Sequence, residues 1–184
     1  MLEETRGEYH SFRDLMSFRN KPQPAIYKSL TSPRGEALFN AIEAALDNIG
    51  FRRLSFLGQG EFSLAFYATD GMVCRLASAR EPERISHPAI AKPIETLIVS
   101  VDHDEGPASR CKLEILPYFN SKLTSRKHVL QLCAVLEASG YEVDDLAKKG
   151  NVVVIPHNGG WLPLLLDIGL LKSQSKVLRL TKRP

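Results

Sequence analysis

The amino-acid sequence predicts an α+β fold, and three observations lead to it. Apolar and polar residues alternate from residue 54 to residue 77 in runs separated by turn residues, which is typical of antiparallel hairpin strands. Apolar residues recur with a helical period over residues 33–48 and again over residues 125–139. Another strand pair is predicted between residues 151 and 166, on either side of a glycine-containing turn.

The first strands enclose a glycine-rich segment, GQGEFS, at residues 58–63. Gly58 and Gly60 are predicted to cap the first hairpin, and Asp70-Gly71 is a strong signal for the tight turn of the next one. Glycine lacks the Cβ that would keep a backbone away from a phosphate, and peptide N–H groups in such turns bind negative oxygen atoms. The segment therefore predicts a phosphate-binding turn, with an ordinary turn that binds nothing as the alternative.

Capping signals set the ends of both predicted helices. The first helix has Ser32 as its N-cap, Pro33 at its first position and Gly50 beyond its end. The second begins after Ser125 and stops at Gly140. The buried stripes are predicted to be Leu38, Ile42, Ala45, Leu46 and Ile49 in the first helix, and Val129, Leu132, Cys133 and Leu136 in the second. We expect the first helix to pack on the glycine-loop sheet.

The segment before the first helix is expected to add to the same core. Residues 9–19 mix aromatic and basic side chains, and residues 21–24 form a linker broken by proline. With Phe12, Leu15, Met16 and Phe18, this segment either covers the core or forms a partner-binding helix, and we favour the first interpretation.

Polar residues stand at the two ends of the later strand pair. Asn151 opens the run NVVVI, Asp167 closes the run WLPLLLDIG, and the turn at residues 157–160 joins the runs. A hairpin brings its ends together, and carboxylate and amide oxygens are suitable ligands for Mg²⁺. With the glycine-rich segment, this pattern resembles the protein kinase-like fold over residues 54–171, with an antiparallel N-lobe sheet and a minimal, truncated C-lobe.

The resemblance implies a site for ATP and Mg²⁺. Asn151 and Asp167 would be the metal ligands, although an aspartate exposed in a turn is the alternative for Asp167. Arg75 would take the place of the strand lysine that holds the phosphates, as in the similar choline-kinase and aminoglycoside-kinase branch. Backbone groups around Glu114 and Leu116 would contact the adenine. The loop that covers the phosphates would consist of Gly58, Gln59, Gly60, Glu61, Phe62 and Ser63.

The catalytic loop of such an enzyme would be DDLAKKGN, residues 144–151. Asp145, or Asp144, would accept or orient the proton of the acceptor, and Arg75 would orient phosphate. The usual His-Arg is absent before the aspartate, and a short exposed helix is the alternative. Glu81 or Glu83 would pair weakly with the strand cation, because prolines interrupt residues 78–93.

We therefore expect three regions: an N-terminal helical extension at residues 1–50, a kinase-like N-lobe and hinge at 51–120, and a minimal C-lobe with a basic tail at 121–184. The leading hypothesis is a compact enzyme that transfers the γ-phosphoryl group of ATP to a protein or a small hydroxyl compound. The second is an inactive pseudokinase that binds another protein. A third takes the helix at Ser125, a short helix at Glu142 and the following hairpin as a winged-helix nucleic-acid module.

Composition limits the other classes of function. The chain has 184 residues, 43% of them apolar, and a net charge of +3, which does not require a polyanionic partner. Three cysteines without C-x-x-C spacing predict neither disulfides nor zinc and favour a reducing cytoplasm. A membrane span is not expected. Minimal kinases of this kind resemble those of bacterial effectors, delivered into a host cytosol, and phages, and a protein partner is expected more than a nucleic acid.

Overall fold

The computed structural model describes residues 8–17, 25–60, 62–68, 71–79, 81, 86–119, 123–143, 151–166 and 171–173. The chain divides into two units, which are described separately. The first consists of Met1–Glu81 and Pro93–Tyr118, and the second of Pro82–Lys92 and Phe119–Pro184. Helices and antiparallel strands both occur, which confirms the predicted α+β class.

The first unit begins with three helices: α1 at Phe12–Ser17, α2 at Ala25–Leu30 and α3 at Gly35–Asn48. The capping prediction for α3 was wrong by two residues. The N–H of Gly35 donates to the Ser32 carbonyl over 2.8 Å, so a turn precedes the helix, and the Ser32 hydroxyl donates to the Ser29 carbonyl and does not cap α3. The residue before the helix is Arg34, without a side-chain cap.

Close packing explains why α3 begins with glycine. A Cβ at Gly35 would lie 2.2 Å from the Leu30 carbonyl oxygen and 2.4 Å from that of Ser29. No side chain fits at such distances, so α2 and α3 meet in this way only through a glycine. Helix α2 itself has no counterpart among the predicted elements.

A five-stranded antiparallel sheet follows the helices. Its strands are β1 (Leu54–Gln59), β2 (Ser63–Ala68), β3 (Met72–Ser78), β4 (Glu95–Val101) and β5 (Ser109–Pro117). Their order is β1-β2-β3-β5-β4, so β3 pairs with β5 although β4 lies between them in the chain. The two predicted hairpins are confirmed, and Gly71 has the positive φ of 76° that its turn requires. Gly58, however, lies within β1 beside a register shift, not in the turn.

One face of this sheet packs against the helices, and we call it the helix face. Its core includes the fully buried residues Leu38, Ile42, Leu64, Phe66, Leu76 and Leu113. Phe12, Leu15 and Met16 of α1 belong to the same core, which confirms that the segment before α3 covers it. The predicted stripe of α3 is buried at Leu38, Ile42 and Leu46, with Ala45 and Ile49 partly buried at its margin.

The second unit contains α4 (Arg126–Ala138) and two strand pairs. Strand β6 (Tyr141–Val143) pairs with β9 (Leu171–Ser173), and β7 (Val152–His157) pairs with β8 (Gly160–Leu165). Both predictions for α4 are confirmed: Ser125 caps it, in a box with His128, and Gly140 follows its end with a φ of 83°. The β7–β8 turn places Asn158 and Gly159 at positive φ, the conformation of a type I′ hairpin.

Glu142 lies in β6, so the short helix that the winged-helix hypothesis placed there does not begin at that residue. The strand pairing with β9 satisfies the backbone of this segment in place of a helical turn. Of the helices in the described part of the chain, none has both the length and the apolar character needed to cross a membrane.

Candidate functional site

The candidate site lies on the second face of the five-stranded sheet, which we call the polar face. Side chains alternate between the faces of a strand, so residues next to the core positions of β2, β3 and β5 point away from the helices. Strand register arranges them in rows. The central row consists of Gly58, Ala65, Arg75, Glu114 and Thr96, each the direct partner of the next across the sheet.

Arg75 is the centre of a buried ionic cluster in this row. Its side chain is 10% exposed, and its Nη1 donates to Glu114 Oε2 over 2.9 Å. The same nitrogen donates to Glu81 Oε2 over 2.8 Å, and Nη2 contacts Glu81 Oε1. Lys112 Nζ lies 3.4 Å from Glu81 Oε2, so the cluster contains two cations and two carboxylates. Ionised side chains are rarely buried unless they are paired in this way.

The cluster shifts the pKa of Arg75 and that of Glu81 towards their charged forms. Burial works against ionisation of Arg75, but the two carboxylates outweigh it and raise the pKa of the guanidinium. Burial also opposes ionisation of Glu81, but Arg75 first and Lys112 second outweigh it, and the pKa of Glu81 lies below its ordinary value. Arg75 and Glu81 therefore both remain charged at neutral pH.

Two small residues stand in the same row as the ionic cluster. Gly58 and Ala65 precede Arg75 in the central row, and a Cβ at Gly58 would meet no atom within 4 Å. The φ of Gly58 is not in the left-handed region either. Neither backbone conformation nor packing against the described residues therefore requires a glycine at this position, whereas a group bound over β1 would.

The predicted glycine loop runs from Gly58 to Ser63. Gln59 ends β1, the Gly60 N–H donates to the Ser63 carbonyl over 2.9 Å, and the Phe62 carbonyl accepts from Ser78 N–H over 2.8 Å. These bonds tie the loop to the ends of β2 and β3, with Ser63 itself opposite Ala77. The remaining loop residue, Glu61, lies outside the described residues.

An apolar row runs beside the central row on the same face. Tyr67 pairs with Val73, and Val73 pairs with Leu116, two residues along each strand from the charged positions. Two residues of a strand span about 7 Å. The polar face thus has an apolar row, in which Tyr67 and Leu116 are buried, about 7 Å from the ion-paired Arg75 guanidinium, and the small Ala65 stands directly opposite Arg75.

The two predicted adenine-contacting residues occupy unlike positions in the sheet. Glu114 pairs with Arg75 in β3 and with Thr96 in β4, so its backbone lies inside the sheet and its side chain belongs to the ionic cluster. Leu116 pairs with Val73 one residue past the Glu95–Ile115 pair at the beginning of β4. The backbone of Leu116 is therefore better placed than that of Glu114 to contact an adenine. This contact stays a prediction.

Apart from Arg75, which is described above, the predicted metal and catalytic residues belong to the second unit, and only one of these is described. Asn151 stands at the open end of the β7–β8 hairpin, where its carbonyl accepts from the Leu166 N–H over 2.8 Å. Its predicted partner Asp167 and the predicted catalytic residues Asp144 and Asp145 lie outside the described residues. Among the residues that the structure describes, no three of His, Cys, Asp or Glu come together as a metal site.

Sequence patterns pointed to Arg75 but missed Lys112 and the side-chain role of Glu114. A signal was present, since Lys112 and Glu114 alternate with Cys111, Leu113 and Ile115 in β5. Charges at every second position of an otherwise apolar strand indicate a polar face. The partner on β3 could not be read from that pattern, because Arg75 and Glu114 are 39 residues apart. Glu81 was expected to pair only weakly, yet it makes two contacts with Arg75.

Comparison with protein-family models finds no family that matches this chain, and a search of curated proteins finds no significant match. Function must therefore be argued from the polar face itself.

Proposed function

We propose that the chain binds ATP on the polar face of its five-stranded sheet and is a compact kinase-like phosphotransferase. One observation carries the proposal: Gly58, where a Cβ would meet no described atom within 4 Å, shares a row with the buried Arg75 guanidinium, and only the small Ala65 stands between them. Glycine permits close approach of a ligand to a backbone, and a guanidinium matches the geometry of a phosphate.

The apolar row supports a nucleotide over a simple anion. Val73, the partly exposed member of that row, would contact the flat face of a base, while the phosphates extend about 7 Å towards Arg75 and the glycine loop. A free anion would gain nothing from the apolar row. The same separation would be matched by other nucleotides, and ATP is named because of the resemblance to kinases.

The position of Arg75 on β3, the strand whose end is hydrogen-bonded to the glycine loop, also favours a kinase-like site. In protein kinases a strand cation holds the phosphates, and the glycine-rich loop covers them. Phosphoryl transfer then depends mainly on positioning and electrostatic stabilisation, which Arg75 would supply with a permanent charge. The resemblance assigns the Mg²⁺ ligands to Asn151 and Asp167, and the ion would neutralise charge on the phosphate oxygens.

The test is a calorimetric titration of ATP into the purified chain and two glycine variants. Gly58→Val places a side chain in the row that leads to Arg75, at a position where a Cβ meets no described atom within 4 Å, so we expect ATP binding to fall about tenfold or more. Gly160→Val is the matched control, because Gly160 begins β8 and its Cβ would meet only the His157 carbonyl at 3.7 Å. The control should bind ATP as the wild type does.

Equal ATP affinity in all three proteins, or no binding by the wild type, would contradict the proposed site. Turnover is measured on the same samples as loss of the γ-phosphoryl group in the presence of Mg²⁺. Asp167→Asn should abolish this turnover and leave folding intact, and undiminished turnover would contradict a phosphotransferase that uses Asp167.

A second candidate is a pseudokinase that binds a protein, which one observation favours. Both terminal nitrogens of Arg75 already contact carboxylates, as expected for a guanidinium with a purely structural role. This candidate predicts a protein partner whose binding survives both Asp167→Asn and Arg75→Ala. Retained binding of such a partner, with no response to ATP, would favour it over the kinase.

A further inference from the structure

The two carboxylates that contact Arg75 have different supports. Glu114 lies in β5, between β3 and β4, where strand register on both sides places it opposite Arg75. Glu81 lies three residues beyond the end of β3, and its N–H donates to the Ser78 carbonyl over 3.0 Å. The backbone of Glu114 is thus held by strand pairing, and the backbone of Glu81 by the turn that follows β3. Of the two, Glu81 is the carboxylate that can leave Arg75 without disturbing strand pairing.

Glu81 contacts Arg75 as a phosphate would. Its two oxygens meet the two terminal nitrogens of the guanidinium, with the Nη1–Oε2 distance at 2.8 Å. This paired arrangement is the one by which arginine binds both carboxylates and phosphates. Lys112 adds a second cation to the same carboxylate at 3.4 Å. The best anion position in the cluster is therefore filled by a side chain of the protein.

Charge balance opposes a second anion at that position. Arg75 and Lys112 neutralise Glu81 and Glu114, and Glu81 is only 6% exposed. A phosphate chain brought to this buried cluster would face the Glu81 carboxylate at short range, while both cations of the described cluster are already paired with carboxylates. Like charges placed together in this way weaken binding strongly. If Glu81 moves away, the phosphate can contact both Arg75 and Lys112 in its place.

We propose that Glu81 occupies the anion position of the nucleotide site and competes with the ligand for Arg75, so that a polyphosphate binds by displacing Glu81 while Glu114 keeps the guanidinium in place. This inference depends on the proposed function, because it concerns the same site. Glu81 thereby sets the affinity of the site: it keeps Arg75 neutralised without a ligand, and only a ligand with enough negative charge replaces it.

The experiment is a calorimetric titration of ATP, and separately of inorganic tripolyphosphate, into the full chain without divalent metal. Glu81→Gln keeps the size of the side chain and removes its charge, so we expect both ligands to bind about tenfold more tightly than to the wild type. Glu95→Gln is the matched control, since Glu95 is an exposed residue of β4 on the helix face of the same sheet. That control removes one equal charge away from Arg75 and should change affinity by less than about twofold.

The outcomes separate this inference from the proposed function. Binding to Glu81→Gln that is equal to or weaker than wild-type binding overturns the inference, while the proposed function stands if the wild type binds ATP and Gly58→Val does not. No ATP binding by any variant overturns both. An equal gain in Glu95→Gln also overturns the inference, because the effect would then be one of net charge alone.

A melting curve first establishes that Glu81→Gln is folded. If its transition is lost, Glu81→Asp replaces it. This variant keeps the charge but shortens the side chain by one methylene, which withdraws the carboxylate from the paired contact with Arg75. We then expect a several-fold gain in ATP affinity, and an unchanged or lower affinity overturns the inference.

Discussion

The two faces of the five-stranded sheet belong to the same strands but bury opposite kinds of side chain, apolar on one face and charged on the other. The helix face is apolar and packs against α1, α2 and α3 in one continuous core. The polar face carries four charged groups around Arg75, three of them with side chains no more than 10% exposed. Burying apolar surface stabilises a fold directly, whereas a buried ion pair is often no better than apolar residues of the same volume.

The difference indicates that the polar face serves something besides stability. Apolar side chains in β3 and β5 could fill the positions of Arg75 and Glu114 with no desolvation cost. Gly58 carries no side chain, although a Cβ there would meet no described atom within 4 Å. A face built for stability alone would place a side chain at such a position. Charged groups with shifted pKa values in such a place are typical of functional sites. The helix face should therefore control folding, and the polar face ligand binding.

The largest effect is expected on the helix face. Phe66 is fully buried in β2 and contacts the rings of Phe12 and Phe56. Phe66→Ala should lower the free energy of unfolding by about 3–5 kcal/mol, because it leaves a cavity in the core. Urea unfolding measures this, and ATP affinity should stay near the wild-type value in the protein that remains folded. A loss of ATP affinity with little loss of stability would contradict the assignment of folding to the helix face and of ligand binding to the polar face.

An intermediate effect is expected when Glu81 is protonated by acid. Its pKa is lowered in the folded state, so the folded protein binds fewer protons than the unfolded chain. The stabilising contribution is complete above the unfolded value near 4.3 and is lost as the pH falls through the lower folded-state pKa. Between about pH 7 and about pH 3, the wild type should lose more stability than Glu81→Gln, by at most about 1.4 kcal/mol for each pH unit below the unfolded value.

Urea unfolding of both proteins at the two pH values provides the measurement. Other carboxylates titrate in both proteins, so only the difference between the two losses reports on Glu81. Equal losses would mean that the Arg75–Glu81 contact contributes nothing to stability in solution.

The smallest effect on stability is expected at Gly58. Its φ is ordinary and its Cβ would meet no atom, so Gly58→Ala should leave stability unchanged or raise it by about 0.5 kcal/mol. Gly35→Ala is the matched contrast, since its Cβ would collide with the Leu30 and Ser29 carbonyls and should clearly destabilise the fold. Thermal melting distinguishes the two variants. Equal destabilisation would show that Gly58 is a structural glycine.

Local sequence signals were sufficient for much of the fold. The alternation in β1, β2 and β3, the capping box of α4 and the Asn158-Gly159 turn act over a few residues, so periodicity and turn chemistry predict them. The errors have tertiary causes. Helix α3 begins at Gly35 and not at Pro33, because the preceding turn and the contact with α2 determine its first residue. The segment at Glu142 forms a strand because β9 pairs with it.

By itself, the sequence determined where the strands β1, β2, β3, β7 and β8 and the helices α3 and α4 lie, and it indicated Arg75 and the glycine loop as predicted phosphate-binding features. Only the tertiary structure decided which residues share a row. Strand β3 pairs with β5 and not with β4, which places Glu114 opposite Arg75 across 39 residues of chain. Such a pairing depends on the entropy of closing the intervening loop and on the fit of whole faces to the core, and neither leaves a local pattern in the chain.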